Sequence, residues 1–373
     1  MKRIVISSNT SWSIFNFRLE LVRFLAKSYQ VEIIAPKDQY SEKLRQLGFV
    51  VHDIDMASSS VAPLRDIATL LTYSKLLKKI KPDYYLGFTA KPNIYGGFIA
   101  NILGCKVINN IAGLGRTFSS SGLLQSLMQL LYRFSLRNSK HVFFQNKDDQ
   151  ALFVKNSLLK NATHSVLPGS GVNTKRFTCK IHRFVDHSTT DSIQFVFLFS
   201  ARLLLEKGIR EYISAASQLK AIYPHCTFQV LGKHSGTAAE LPKAELDEAC
   251  KKGIIKYLGT TDNVVAVLHN ADCFVLPSYY REGVPRSLLE AGSCGLPLIT
   301  TDSVGCRETV IDCKNGYLIA PRDSAALFSA MRDMVELSNE QRQTMGLASH
   351  SFIATNFNEA LVLQEYQQVL TES

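Results

Sequence analysis

The 373-residue chain lacks most features that would place it in a special class. Its eight cysteines are scattered without a CxxC pair, which excludes a disulfide scaffold or a zinc ribbon and fits a reduced, cytosolic protein with structural thiols. No apolar run approaches eighteen residues, so no segment reads as membrane-spanning. The opening Met1–Ser8 has basic flanks but too few apolar residues for a signal-peptide core, and reads as a first β-strand. There is no zinc-finger spacing, no RNP-like stretch and no basic helix interleaved with aromatics, so nucleic acid is not an expected partner. The nine histidines show no metal spacing, and no Ser or Cys sits in a nucleophile elbow. Acid is also scarce in the first half. Residues 1–170 hold 22 Lys+Arg against 10 Asp+Glu, while the other 203 residues hold 20 against 22. The whole net charge of +10 therefore belongs to the first half, a field suited to phosphates or anionic headgroups.

What is present is the composition of a globular protein, 46% hydrophobic and 20% charged, long enough for two to three domains at about 150 residues each. Short apolar runs alternate with amphipathic stretches. Strands are expected at Arg3–Ser7, Val31–Ala35, Val50–Ile54, Tyr84–Leu86, Lys106–Ile111 and His141–Phe144. Helices are expected at Phe17–Lys27, Ile67–Ile80 and Leu123–Arg137 between them. Continuous apolar strands separated by helices mean parallel sheets covered on both faces. Residues 168–192 break the pattern, and a second series follows at Ile193–Phe199, Phe228–Leu231, Ile254–Tyr257, Cys273–Leu276, Leu298–Thr300 and Tyr317–Ile319. The expected organisation is an α/β chain of two similar domains: 1–170, a linker at 171–192, and 193–355. The C-terminal helix, about 356–373, is expected to pack back on the first domain. Ligands of such sheets gather at strand carboxyl ends, so a cleft between the domains is the expected site.

The richest stretch is Leu276–Ala291. A buried strand runs into a loop holding Glu282 and Gly283, and a helix starts near Pro285, whose fixed φ suits a first helical position. Free backbone N–H groups around Val284 to Ser287 and the helix dipole make an anion site there, and Gly283 allows close approach. Glu290 lies about 9 Å further along the helix axis. Each carboxylate can accept two hydrogen bonds from vicinal hydroxyls, so the pair could hold a sugar and a ribose either side of a diphosphate. Taken alone, Glu282 reads as an N-terminal helix charge and Glu290 as a solvated helix residue. A second stretch, Ser200–Gly208, puts Arg202 and Lys207 at the carboxyl end of an apolar strand, where cations would neutralise a diphosphate leaving group.

The ordered set of Pro168–Phe177, Ser200–Arg202 with Lys207–Gly208, Val275–Ser278, Glu282–Glu290, Gly295–Pro297 and Asn315–Tyr317 resembles the retaining glycosyltransferases of family 4. The eight-residue step from Glu282 to Glu290 is that family's EX7E signature. Tyr280–Arg286, Thr301-Asp302, Gly305–Glu308, Lys91–Gly96 and Ala112–Gly115 resemble the subgroup that builds capsule, O-antigen and glycoprotein glycans on undecaprenyl diphosphate. The resemblance implies the GT-B fold of two facing Rossmann-like domains, with a nucleotide diphosphate-sugar donor (a UDP-sugar) and a polyprenyl-diphosphate-linked acceptor. It also implies an enzyme working peripherally on the cytoplasmic face of the inner membrane. Arg202 and Lys207 would hold the diphosphate, Glu282 the transferred sugar and Glu290 the ribose. Gly283 and Val284 would offer amides, and Tyr257 and Leu258 backbone contacts to the base. Catalysis would rest on Glu282, Lys207 and Arg202, with no cofactor and no metal. The loop Ser8–Trp12 lacks the glycines of many relatives, and Thr89 and Ala112 stand near positions where many have histidine, so no acceptor base is assigned.

Two other readings stay open, a nucleotide-sugar epimerase of the same fold and a non-catalytic sugar-nucleotide or lipid-binding protein. Asp53-Ile54-Asp55 is a lone Asp-x-Asp, with no second acidic ligand near it in sequence. For the acceptor and an anionic membrane surface, the candidates are Lys75, Lys78, Lys79, Lys91, Arg116, Arg133 and Arg137. Leu123–Lys140 is amphipathic and could lie on lipid, or could be a packed domain helix with a solvated basic face.

Overall fold

The computed structural model describes residues 1–56, 63–115, 122–179 and 194–372, with only the backbone at 63 and 64. It forms two compact units, Met1–Ser170 with Val362–Ser373, and Gly171–Leu361. The first unit holds β1 (Arg3–Ser7), β2 (Gln30–Ala35), β3 (Val50–Asp53), β4 (Tyr84–Phe88), β5 (Lys106–Ile111), β6 (His141–Phe144) and β7 (Thr163–Val166). They pair in parallel in the order β3-β2-β1-β4-β5-β6-β7. The second unit holds β8 (Phe195–Ser200), β9 (Cys226–Leu231), β10 (Lys256–Gly259), β11 (Cys273–Leu276), β12 (Leu298–Thr301) and β13 (Gly316–Ile319). These are also parallel, in the order β10-β9-β8-β11-β12-β13. Both units are Rossmann-like. Their central strands are buried along their whole length, as β4, β11 and β12 are, because helices cover both faces.

In each sheet the strand order reverses once, between β1 and β4 and between β8 and β11. At such a point neighbouring connections leave in opposite directions and open a crevice at the carboxyl ends.

Four local expectations need correction. The strand β7, of sequence Thr-His-Ser-Val, went unread because this edge strand is largely polar and half exposed. The helix expected over Phe17–Lys27 is two, Ser11–Phe17 and Leu19–Ala26, and it starts within the expected Ser8–Trp12 loop because Thr10 caps the Ser13 N–H at 3.1 Å. The linker does not begin at 171. Val172 and Phe177 are buried in the second unit's core, and the Val172 N–H donates to the Phe357 carbonyl at 2.8 Å. Gly171, at φ +68°, lies so close to Glu359 that a Cβ would sit 2.5 Å from its Cα. Residues 180–193 of the expected linker lie outside the described residues. The C-terminal helix starts at Glu359 rather than at about 356, because Asn339–Asn356 ends there and a break at Phe357 and Asn358 precedes Glu359–Thr371. From Val362 onward this last helix belongs to the first unit. Its Tyr366 is buried against Phe143 at 4.7 Å between ring centroids, with Asn110 Nδ2 donating to its hydroxyl at 3.1 Å.

Candidate active site

Apart from Tyr257 and Leu258, the second unit's candidate residues gather at its switch point. β8 and β11 are direct neighbours, Cys273 opposite Phe197 and Phe274 opposite Leu198, so their carboxyl ends open side by side. After β8 the chain passes Arg202, which is exposed, and makes a short turn, Leu205–Lys207, that ends at Gly208. Gly208 has φ +80°, and a Cβ there would lie 2.2 Å from the Pro277 carbonyl oxygen. Only glycine lets this turn press on the exit of β11. Two hydrogen bonds fix the contact, from the Tyr279 and Tyr280 N–H groups to the Glu206 carbonyl at 2.9 and 3.0 Å.

This clamp delivers Lys207 to Glu282. The Lys207 ammonium donates to Glu282 Oε1, and both side chains are nearly withdrawn from water. Ser278 Oγ donates towards the same oxygen at 3.4 Å, and the ammonium lies over the Tyr280 ring at 5.4 Å from its centroid. Burial pushes the Lys207 ammonium down to about 8, Arg202 pushes in the same direction, and Cys306 and Glu206 oppose it. The exit of β12 closes the cluster. Ser303 Oγ donates to the Ser278 carbonyl at 2.9 Å. Gly305, at φ +84°, lies where a Cβ would come within 2.0 Å of the Gly283 carbonyl oxygen.

The helix Arg286–Ser293 follows, one residue later than expected. Pro285 is its N-cap, at ψ 116°, rather than its first helical residue. Leu288, Leu289 and Ala291 bury one side of it. Glu290 is not a solvated helix residue: Arg286 Nε donates to its Oε1 at 3.0 Å, and the two side chains are 11% and 15% exposed. Burial raises the Glu290 carboxyl above the ordinary range, while Arg286 and Arg176 hold it down. Arg286 was inside the stretch read from sequence but received no role. Its signal was visible, a cation four residues before an acid on one helix face. Ser278, Gly208 and Gly305 stand in the motifs read from sequence without a role, because their contacts join loops far apart in the chain.

Tyr257 and Leu258 sit on β10, two strands from β8. The Tyr257 hydroxyl donates to the Gly232 carbonyl at 2.8 Å. Gly232 in turn lies where a Cβ would stand 1.8 Å from the Ala201 carbonyl oxygen. The exits of β8, β9 and β10 are thus packed together.

In the first unit, Lys75, Lys78, Lys79, Arg133 and Arg137 are exposed. Lys91 does not belong with them, because its ammonium donates to Asp66 Oδ1 at 2.6 Å with both side chains largely buried. Arg116 lies outside the described residues. Asp53 of the Asp-x-Asp accepts from Arg45 at 2.9 Å. Among the described residues no three His, Cys, Asp or Glu side chains form a group that could hold a metal ion.

Comparison with known proteins agrees with this architecture. Residues 183–350 match the model "Glycosyl transferases group 1", and residues 3–146 match "Glycosyl transferase 4-like". One relative is the N,N'-diacetylbacillosaminyl-diphospho-undecaprenol alpha-1,3-N-acetylgalactosaminyltransferase of Campylobacter jejuni. It is 28% identical over 379 residues, covering 98% of this chain and 97% of that protein. Another is the UDP-Gal:alpha-D-GlcNAc-diphosphoundecaprenol alpha-1,3-galactosyltransferase of Escherichia coli, 24% identical over 278 residues, 73% of this chain and 71% of that protein. A solved glycosyltransferase from Rickettsia africae shares the fold with a TM-score of 0.78 at 16% identity, over 100% of this chain and 99% of that one. With both units Rossmann-like and each matched by a glycosyltransferase model, the chain is a glycosyltransferase of the GT-B fold.

Proposed function

We propose that the protein moves a sugar, with retention, from a UDP-sugar to a polyprenyl-diphosphate-linked saccharide during synthesis of a bacterial surface glycan. The observation that carries the reading is the buried Lys207–Glu282 pair at the β8–β11 switch point, with exposed Arg202 beside it. An arriving diphosphate offers Lys207 a second anion, and Arg202 a first. Their charge stabilises the pyrophosphate as its bond to the anomeric carbon breaks. Glu282, next to that centre, accepts hydrogen bonds from the transferred sugar. Glu290, fixed by Arg286, accepts from the ribose. Gly283 and Val284 line the sugar side, and Pro285 sets the start of the helix behind them. The strand β10, with Tyr257 and Leu258, borders the base.

The acceptor hydroxyl adds to the anomeric carbon on the face the diphosphate leaves, and its proton passes to the departing phosphate oxygen. No metal and no cofactor take part in this scheme. The lipid-linked acceptor is supported by the C. jejuni and E. coli relatives, whose names specify diphospho-undecaprenol substrates, and the UDP donor by the E. coli one. The first unit, with its excess of cations, takes the acceptor and meets the anionic inner leaflet from the cytoplasmic side.

Lys207→Ala and Glu282→Ala test the assignment. Each is expected to lower transfer about a hundred- to a thousandfold, with the folded state verified by circular dichroism. Full activity in either removes it. A thermal-shift panel of UDP-, GDP- and ADP-sugars checks the nucleotide, and a shift with guanosine donors alone overturns that choice. Conversion of the donor with no acceptor added identifies an epimerase instead.

A further inference from the structure

The first unit carries an apolar face that its core does not use. The helix Leu123–Leu136 buries Tyr132, Ser135 and Leu136. At about 100° per residue, Leu123, Leu127, Leu130 and Phe134 form a second stripe on the opposite side. They are 91%, 46%, 47% and 54% exposed. The helix Pro63–Ile80 repeats the arrangement, burying Thr69, Tyr73, Leu77 and Ile80 while exposing Ile67 and Leu71 one turn apart. The short helix Gly97–Ile102 packs against both and exposes Ile102. Single exposed apolar residues are ordinary, whereas a face shared by three neighbouring helices marks an interaction site.

Its charge surroundings say which partner fits. From Tyr84 to Lys147 the sequence holds seven Lys or Arg and no Asp or Glu. Arg133 and Arg137 flank the stripe on one helix, and Lys75, Lys78 and Lys79 end the other, all exposed. The single acid of Pro63–Ile80, Asp66, is buried against Lys91. A second copy of the chain docked through this face would set like charges against each other. An anionic bilayer satisfies both components, since leucines enter the acyl boundary and cations meet headgroups. No helix among the described residues is long and apolar enough to cross a membrane.

We infer that this face seats the first unit on an anionic bilayer by partial insertion of the Leu123 end. A helix joining two parallel strands begins at their carboxyl edge, so Leu123, the first residue of its helix, and Ile67, in the second turn of its own, lie towards the edge at which doubly wound sheets bind ligands. Docking there brings that edge to the headgroup layer, where the diphosphate of a polyprenyl-linked acceptor lies. This last step rests on the acceptor reading above; the insertion does not.

The test is cosedimentation with vesicles of phosphatidylethanolamine and phosphatidylglycerol, and with phosphatidylcholine vesicles, none containing acceptor. The protein is expected to bind the anionic vesicles and to retain part of that binding at about 0.5 M salt, where charge attraction is screened. Leu123→Glu combined with Leu127→Glu lowers partition at least about tenfold. The melting curve and transfer to a detergent-solubilised acceptor stay unchanged. Unchanged partition in the double variant, or complete loss of wild-type binding at high salt, overturns the inference. So does a solution dimer that the double variant dissociates in the absence of vesicle binding. Vesicle binding that depends on the leucines, without transfer to any lipid-linked acceptor, supports docking and removes the acceptor reading alone.

Discussion

The two units share a topology and handle charge in opposite ways. In the second, four of the charges at the switch point are buried and paired, Lys207 with Glu282 and Arg286 with Glu290, beside the exposed Arg202. That half of the chain is close to neutral, and its electrostatics depend on placement. In the first, the candidate cations Lys75, Lys78, Lys79, Arg133 and Arg137 stand in water, and the excess works as a field. Placed charges act over a few ångströms with little screening, whereas a field of exposed charges fades within a Debye length of about 10 Å at ordinary salt. A difference in net charge between two similar domains therefore reports what each meets: a small anion held by geometry, or an extended anionic surface.

The largest effect that could break this contrast is expected at the pair. Lys207→Met leaves the Glu282 carboxylate buried beside an apolar chain, at a cost of about 3 kcal/mol in folding stability. Glu282→Gln strands the ammonium in the same way. The double variant removes both charges and should recover most of the stability while staying inactive. Denaturant melts and transfer assays on the four proteins check this. Activity returning together with stability would make the pair a structural contact.

A smaller effect concerns pH. The Lys207 ammonium is lowered to about 8 by burial first, so in the donor-free protein its charge is present below that pH and lost above it. Since kcat/KM reports the free enzyme, it should fall about tenfold per unit as pH rises beyond 8. Lys207→Arg keeps its charge and should move that limb upward, even where its larger side chain lowers the plateau. A limb in the same place for both proteins would assign it to another group.

These tests also mark how far the sequence could be read. Strands buried on both faces announce themselves as continuous apolar runs, so β1, β5, β6 and β11 were legible to the residue. The polar edge strand β7 had no such run. Residues 171–179 look like a linker because glycine and polar side chains surround the two buried hydrophobic side chains, Val172 and Phe177. At the site, the residue types and their spacing were legible, but their partners were not. Lys207 meets Glu282 across 75 positions, and Lys91 meets Asp66 across 25. Loop packing makes the first pair, through contacts such as Gly208 on Pro277, and the packing of two helical segments makes the second; no local pattern encodes either. The Leu123–Leu136 helix was legible as a helix, yet the side expected to be a solvated basic face is apolar as well.

The smallest expected effect lies on that exposed side of the first unit. Lys75, Lys78 and Lys79 are solvated, so changing all three to Glu should leave stability within about 0.5 kcal/mol per position. Each cation near an anionic leaflet contributes about 1 kcal/mol, roughly fivefold in affinity. Partition onto phosphatidylglycerol vesicles should therefore drop steeply at low salt, and the difference from wild type should close as salt rises. Partition onto phosphatidylcholine should stay as it was, because the apolar face is untouched. The same substitutions should leave the KM for the donor unchanged, since no residue of the second unit is altered. A rise in donor KM would mean that the field of the first half reaches the nucleotide, and the division between placed and diffuse charge would then fail.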